Sequence, residues 1–410
     1  MGQSNPKDNR RQVKGGIFIQ LQKTSFISNE VVQGQLNINI EEPFQGHILQ
    51  VTLKGLEETQ FTYTVKRGKH RRTVFAKGQN EIVNFSMPIY DFAQGQNSSA
   101  FIINPCQVVI PFQLCIADKL PSSMNYFYNS NNQCSIKYSI IAQIIPTEAN
   151  VKPIQGSQEI FIGQQISTYY LSNNTTSIQQ PVICCCCKSG QINYNITTSS
   201  RCFSPQETIN LNMDIDFSQY SKQVNKLTVK LLGQLTMKAN TADKTKVLNI
   251  AEKSIEVKVE QSKMKQEVQF QVPSDIPLSS QGELVQVVYQ LQLIPQISTI
   301  CCVSDSSPHE IKVFINPSSN LLQNSQQNPP QLQIQAPPNW NPVQLQPNQL
   351  NYSQANCIQD KSNIQSQNQF NQYPYQPQQS NNLYNIPNSM LVQIQPTGQP
   401  QMINQNQQFL

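Results

Sequence analysis

VVIPFQLCIADKLPSS (Val108–Ser123) leads, after a short polar interval, into CSIKYSIIAQI (Cys134–Ile144). Apolar and polar residues alternate in both flanks and β-branched side chains are frequent, the pattern of half-buried strands. Between the flanks, Leu120-Pro121 marks a turn. The same order of features returns downstream as VQFQV (Val268–Val272), then Ile276-Pro277, then VYQLQLI (Val288–Ile294). A string of this length occurring twice in one order points to a duplicated unit.

The correspondence extends outward from these strings. Phe26 is followed four residues later by Glu30 and then Val31-Val32; Phe203 is followed four later by Glu207 and then Thr208-Ile209. Each set comes after an alternating strand that starts near a glycine, Gly16 or Gly190. Gly55 of Leu53-Lys54-Gly55 stands 29 residues after Phe26, and Gly233 of Leu231-Leu232-Gly233 stands 30 after Phe203. GIFIQLQ (Gly16–Gln22), QLNINI (Gln35–Ile40) and ILQVTLKG (Ile48–Gly55) are further alternating strands, and no long stretch has helical period. A repeat of roughly 150 residues is a whole domain rather than a solenoid unit. Many short strands without helices predict sandwiches. The expectation is an all-β protein of two tandem immunoglobulin-like β-sandwiches, residues 13–172 and 184–317. A hinge over 173–183 joins them and an unstructured arm, 1–12, precedes them.

From about Ser318 onward the composition changes to Gln, Asn, Pro and Ser, with Asp360 and Lys361 as the only charged residues. Such a segment buries too little apolar surface to offset its ordering entropy, so 318–410 is expected to be a disordered Gln/Asn/Pro-rich tail. Only 13% of the 410 residues are charged, and the net charge is +5. An excess this small gives no ground for nucleic-acid binding. The opening MGQSNPKDNRRQ lacks the apolar core of a secretory signal, and no apolar run reaches the length of a membrane span. A cytoplasmic protein with reduced thiols is the expectation, and eleven cysteines then do not read as a disulfide framework.

In this order, GIFIQLQ, FISNEVVQGQLNI (Phe26–Ile38), LKGLEET (Leu53–Thr59), VVIPFQLCIADKLPSS, the cysteine run entering Ser-Gly-x-Ile at Cys184–Gly190, and FSPQETINLNMDI (Phe203–Ile215) resemble the arrestin family. Within it they are most similar to the α-arrestins, the arrestin-domain-containing adaptors. The resemblance covers about three quarters of the chain. It implies the arrestin fold and a non-enzymatic adaptor without a cofactor. Its implied partners are cytosolic tails of membrane proteins, trafficking or ubiquitin-ligase machinery, and an anionic membrane surface, with no nucleic acid among them. The implied location is the cytoplasm, peripheral to the plasma membrane or endosomes. A retromer-type cargo-binding subunit is the neighbouring alternative. The Pro-Pro-x-Tyr string by which α-arrestins recruit ligases is absent; Pro329-Pro330-Gln331-Leu332 and Pro337-Pro338-Asn339-Trp340 come nearest.

The densest charge cluster is KRGKHRR (Lys66–Arg72), expected as a hairpin loop centred on Gly68. Lys66, Arg67, Lys69, Arg71 and Arg72 make it a candidate site for phosphates of a lipid headgroup or a phosphorylated tail, against the plainer reading of a solvated loop. Cys184, Cys185, Cys186 and Cys187 stand in a row. They read as a palmitoylation cluster, as half of a zinc site completed by Cys301 and Cys302, or as inert small residues. Gly2 is a myristoylation candidate, although Pro6 stands where Ser or Thr is usual. Arg10, Arg11 and Lys14 form a second basic set beside it. His47, His70 and His309 fall in no metal or triad motif, and no GxSxG, P-loop or HExxH string occurs.

Overall fold

The computed structural model describes residues 9–96, 101–171, 174–179, 182–183, 187–188, 190–239, 242–258, 262–298, 303–305, 307–317 and 343–345. The first sandwich contains β1 (Gly15–Leu21), β2 (Ser25–Ile27), β3 (Val31–Ile40), β4 (Phe44–Arg67), β5 (His70–Asp91), β6 (Ile102–Ile103), β7 (Cys106–Cys115), β8 (Met124–Asn129), β9 (Asn132–Pro146) and β10 (Ile154–Gly163). The second contains β11 (Asn174–Gln179), β12 (Val182–Ile183), β13 (Cys187–Lys188), β14 (Ile192–Thr198), β15 (Cys202–Phe203), β16 (Thr208–Asp216), β17 (Val224–Ala239) and β18 (Ala242–Glu256). It continues with β19 (Lys263–Gln271), β20 (Ser280–Gln281), β21 (Val285–Ser298), β22 (Val303–Asp305) and β23 (His309–Ile315); β24 (Val343–Gln344) returns to the first sandwich.

Each sandwich pairs a smaller sheet with a larger one. In the first, the orders are β1-β3-β7-β24 and β2-β10-β9-β4-β5; in the second, β11-β14-β16-β19 and β15-β23-β21-β17-β18. Alternation does what the sequence predicts: Leu36, Ile38 and Ile40 of β3, and Ile209, Leu211 and Ile215 of β16, are buried while their neighbours face out. No α-helix occurs among the described residues.

The repeated residues have repeated jobs. Gly55 lies opposite Tyr138 across β4 and β9, and Gly233 opposite Tyr289 across β17 and β21. A Cβ on Gly55 would come within 2.6 Å of the Tyr138 ring, and one on Gly233 within 2.7 Å of Tyr289. Each glycine therefore makes room for a fully buried ring. Each tyrosine then donates its hydroxyl to a proline carbonyl of the preceding turn segment, Tyr138 to Pro121 (2.9 Å) and Tyr289 to Pro277 (2.5 Å). The serine two residues after each proline bonds a neighbouring strand in both directions. Ser123 does so with Ile162, and Ser279 with Ile315.

Phe-x-x-x-Glu is a second such device. Phe26 and Phe203 are buried in parallel rungs against β10 and β23. After each comes a tight turn whose third residue has positive φ, Asn29 (74°) or Gln206 (70°). The glutamate closes the turn by accepting the amide of its first residue: Ile27 to Glu30 at 2.9 Å, Ser204 to Glu207 at 2.7 Å.

Two segments differ from expectation. Part of the stretch read as a hinge is strand β11, paired with β14 from Asn174↔Thr197 to Gln179↔Ile192. It is an outer strand of mostly polar residues, so period-two hydrophobicity gives it no signal. Within the tail, Val343–Leu345 run along β7; the remainder of 318–410 lies outside the described residues.

Candidate functional site

β4 and β5 form one long hairpin, and the run Lys66–Arg72 is its end. Pairing persists further than the sequence predicts: Val65↔Arg72, Lys66↔Arg71 and Arg67↔His70 are all in register. Only Gly68 and Lys69 form the turn, because Gly68 adopts φ 63°, which a two-residue hairpin turn requires of its first central residue. The expected loop is therefore mostly strand. Lys66, Arg67, Lys69, His70, Arg71 and Arg72 are all exposed. Among the described residues none of the five cations makes an ion pair. Lys66 faces Arg71 directly, and like charges opposite each other weaken a strand pair. The hairpin end concentrates positive charge without internal compensation.

Below this end the two sandwiches meet. Glu57 of β4 has no exposed surface, and its partners come largely from the other sandwich. The amides of Glu283 (3.1 Å), Leu284 (3.2 Å) and Val285 (3.1 Å) donate to its carboxylate, as does the Asn80 side chain (2.9 Å). Successive amides of one turn form a concave anion-binding nest, here filled by a side chain of the same molecule. A buried carboxylate is tolerated when donors replace its hydration. Gly282 opens the turn, and any Cβ there would overlap the Glu57 carboxylate.

Further polar contacts cross the same seam. The Thr59 hydroxyl donates to the Lys238 carbonyl (2.6 Å), and that of Ser280 to the Ser122 carbonyl (3.1 Å). Lys244 donates to the Thr62 carbonyl (2.9 Å) and to Asn132 (2.7 Å). Lys246 donates to the Tyr126 hydroxyl (2.6 Å) and lies 3.7 Å from the Tyr128 ring centre, a cation–π contact. Phe127 and Tyr128, each more than 60% exposed, extend from this hairpin of β8 and β9. Lys244 thus reaches β4 at Thr62, four residues before the basic end begins at Lys66.

Sequence reasoning located the cations but missed Glu57, Gly282, Lys244 and Lys246. Glu57 is one of two adjacent glutamates in LEET, and its backbone donors follow more than 220 residues later. A β-bulge between Gly55 and Leu56 in the pairing with β5 sits just ahead of it. Local alternation cannot count across such an irregularity.

The other candidates are less informative. Gly2, Cys184, Cys185, Cys186, Cys301 and Cys302 lie outside the described residues. Cys187 lies in β13, opposite Ile183. Among the described residues no cluster of three His, Cys, Asp or Glu could hold a metal. Burial pushes the Cys106 thiol up; burial, reinforced by the Glu57 charge, takes that of Cys134 to about 12; burial, reinforced by the Glu207 charge, takes that of Cys202 to about 11. At all three the thiolate, the reactive form, is disfavoured. His309 is buried, stacks on Tyr194 at 4.4 Å and meets the Ser177 hydroxyl at 3.2 Å. Burial holds its pKa below the ordinary value. It is a packed neutral ring.

Comparison with known families gives two matches. Residues 16–162 match the profile described as arrestin (or S-antigen), N-terminal domain, and residues 188–318 that of arrestin (or S-antigen), C-terminal domain. The two are in family order and together span more than half of the chain. No curated protein matches the sequence.

Proposed function

Because the chain belongs to the arrestin family, we propose that it is a non-enzymatic adaptor of the α-arrestin branch. In this reading it gathers cytosolic segments of membrane proteins for endocytosis or intracellular trafficking. An adaptor or scaffold role is general to the family; the choice of partner is our reading. The observation that carries it is the hairpin end, where Lys66, Arg67, Lys69, Arg71 and Arg72 crowd together without an acidic partner among the described residues. Such an arrangement is self-repelling until an anion arrives, and phosphate oxygens match lysine and arginine donors. The anion is a phosphate, carried by a phosphorylated tail or a lipid headgroup.

Membrane association would be peripheral, at the plasma membrane or endosomes. No helix among the described residues is long and apolar enough to cross a bilayer. Acylation at Gly2 or at Cys184–Cys187 would add a second membrane signal to the basic hairpin. Coupling to a ubiquitin ligase would fall to the tail, where Pro337-Pro338-Asn339-Trp340 is the segment to examine.

The test compares the full chain with a variant carrying Gln at Lys66, Arg67, Lys69, Arg71 and Arg72. Each is offered phosphoserine peptides and vesicles containing phosphatidylserine and a phosphoinositide. Each cation near an anionic surface contributes about 1 kcal/mol, roughly fivefold in affinity. Wild-type binding should therefore fall by orders of magnitude in the variant and weaken with salt. Binding of the variant equal to wild type on both ligands defeats the reading. Loss on one ligand alone identifies the phosphate source.

A further inference from the structure

β3 is an inner strand of its sheet, paired with β1 on one side and β7 on the other. On the outward face the registers make a grid of six positions. Gln20 lies opposite Gln35, which lies opposite Pro111. Gln22 donates its backbone amide to the Gln33 carbonyl (3.1 Å), and Gln33 lies opposite Gln113. Five of the six are glutamine and the sixth is proline. Leu21 and Phe112, the residues between, alternate into the core. The grid surrounds a recess of about 480 Å³, within the size range of small-molecule sites.

No charged residue lines this recess. Lys23, which follows Gln22, is already paired with Glu30 at 2.8 Å. Among the described residues the five amides make one bond to each other, from Gln35 Nε2 to Gln20 Oε1 (2.8 Å). Gln22, Gln33 and Gln113 are exposed, and no described side chain answers their amide groups. The matching face of the second sandwich is different. Counted from Phe203 as from Phe26, Asp214 and Asp216 stand where β3 has Asn37 and Asn39. They pair with Lys265 and Lys263, at 3.3 Å each, and Gln269 donates to Glu267 (3.1 Å). There the polar groups satisfy one another.

The chemistry of the recess selects its ligand. A carboxamide offers two N–H donors and a carbonyl acceptor, so the group that answers it best also does both, as a hydroxyl does. No cation is present to hold an anion. A peptide cannot join here as a strand, because both edges of β3 are taken. Pro111 adds an apolar ring surface among the amides. We propose that this grid is a binding site for a neutral saccharide of one or two rings. Gln20, Gln22, Gln33, Gln35 and Gln113 bond its hydroxyls, and its C–H face rests on Pro111. The site is separate from the basic hairpin and does not depend on it.

Saturation-transfer NMR on the full chain tests this, with maltose, cellobiose, mannobiose and diacetylchitobiose as probes. At least one should bind, with a Kd of about 1 mM, because long glutamine side chains lose rotamer freedom when held. Gln33→Ala with Gln113→Ala should weaken that binding about tenfold, the effect of two net hydrogen bonds. Both positions are exposed, so the sandwich should stay folded. Asn212→Ala with Gln269→Ala, on the outward face of the second sandwich, should leave binding unchanged. Transfer to none of the four sugars, or equal affinity in wild type and the first variant, overturns the proposal. Stronger binding of inorganic phosphate than of any sugar overturns it too, by making the recess an anion site.

Discussion

Gly282 of the second sandwich lies where any Cβ would overlap the carboxylate of Glu57 in the first. The glycine is required by the approach of another chain segment, and the segment is held by the charge it admits.

Glu57→Gln removes the charge from three amide bonds, and Gly282→Ala forces the turn away from the carboxylate. Hydrogen bonds to a charged group contribute about 1.5–3 kcal/mol, so each variant should lose about 2 kcal/mol in urea unfolding. Exchange at 282–285 should rise in both. An unchanged midpoint in Glu57→Gln would show that the nest contributes nothing to the seam.

Tyr138→Phe and Tyr289→Phe leave the carbonyls of Pro121 and Pro277 without their donors while preserving ring packing. Each should cost about 1–2 kcal/mol. Because the environments are duplicated, the two costs should agree within about 0.5 kcal/mol and add in the double variant. A marked inequality in calorimetry or urea unfolding counts against equivalent corners.

Both tyrosines were legible as members of a repeat, as were the two Phe-x-x-x-Glu turns, because each device needs particular residues at fixed local spacing. Strands whose inward positions are apolar were legible for the same reason. β11 was not, being an outer strand of Asn, Thr and Ser. β24 escaped notice within a glutamine-rich context, although its Val-Gln matches the Ile19-Gln20 of β1 in pattern. The Glu57 nest was hidden for a different reason: both halves are ordinary locally, and only tertiary contact makes them a site.

Arg71→Glu should separate stability from binding. Opposite Lys66 it turns a like-charge pair into an attractive one, strengthening the hairpin by about 0.2–1 kcal/mol. It also changes the local charge by two, which should weaken binding to anionic vesicles by about 2 kcal/mol, roughly thirtyfold. Slower amide exchange at 64–73 together with weaker vesicle binding is the expected pair of results. Faster exchange, or unaltered binding, would contradict the charge argument.

His309 predicts a pH dependence. Burial lowers its pKa in the folded chain below 6.5, so the unfolded chain takes up a proton first as pH falls. Stability is then fully present above pH 6.5 and declines as pH drops from there through the folded pKa. His309→Gln should flatten this part of the profile of melting temperature against pH between 5 and 7.5. The same slope in both proteins would assign it to other groups.

The donor set of Glu57 is also separated from it in time. Val285 follows it by 228 residues; at about 5–20 residues per second, translation delivers it roughly ten to forty-five seconds later. Only after β10 ends at Gly163 is the first sandwich complete, and for the roughly six to twenty-four seconds from there to Val285 it presents a hydrated carboxylate at its unfinished face. Burying that charge against a neighbouring chain that lacks the donors would cost its hydration, so the half-made face favours its own second half over a stranger.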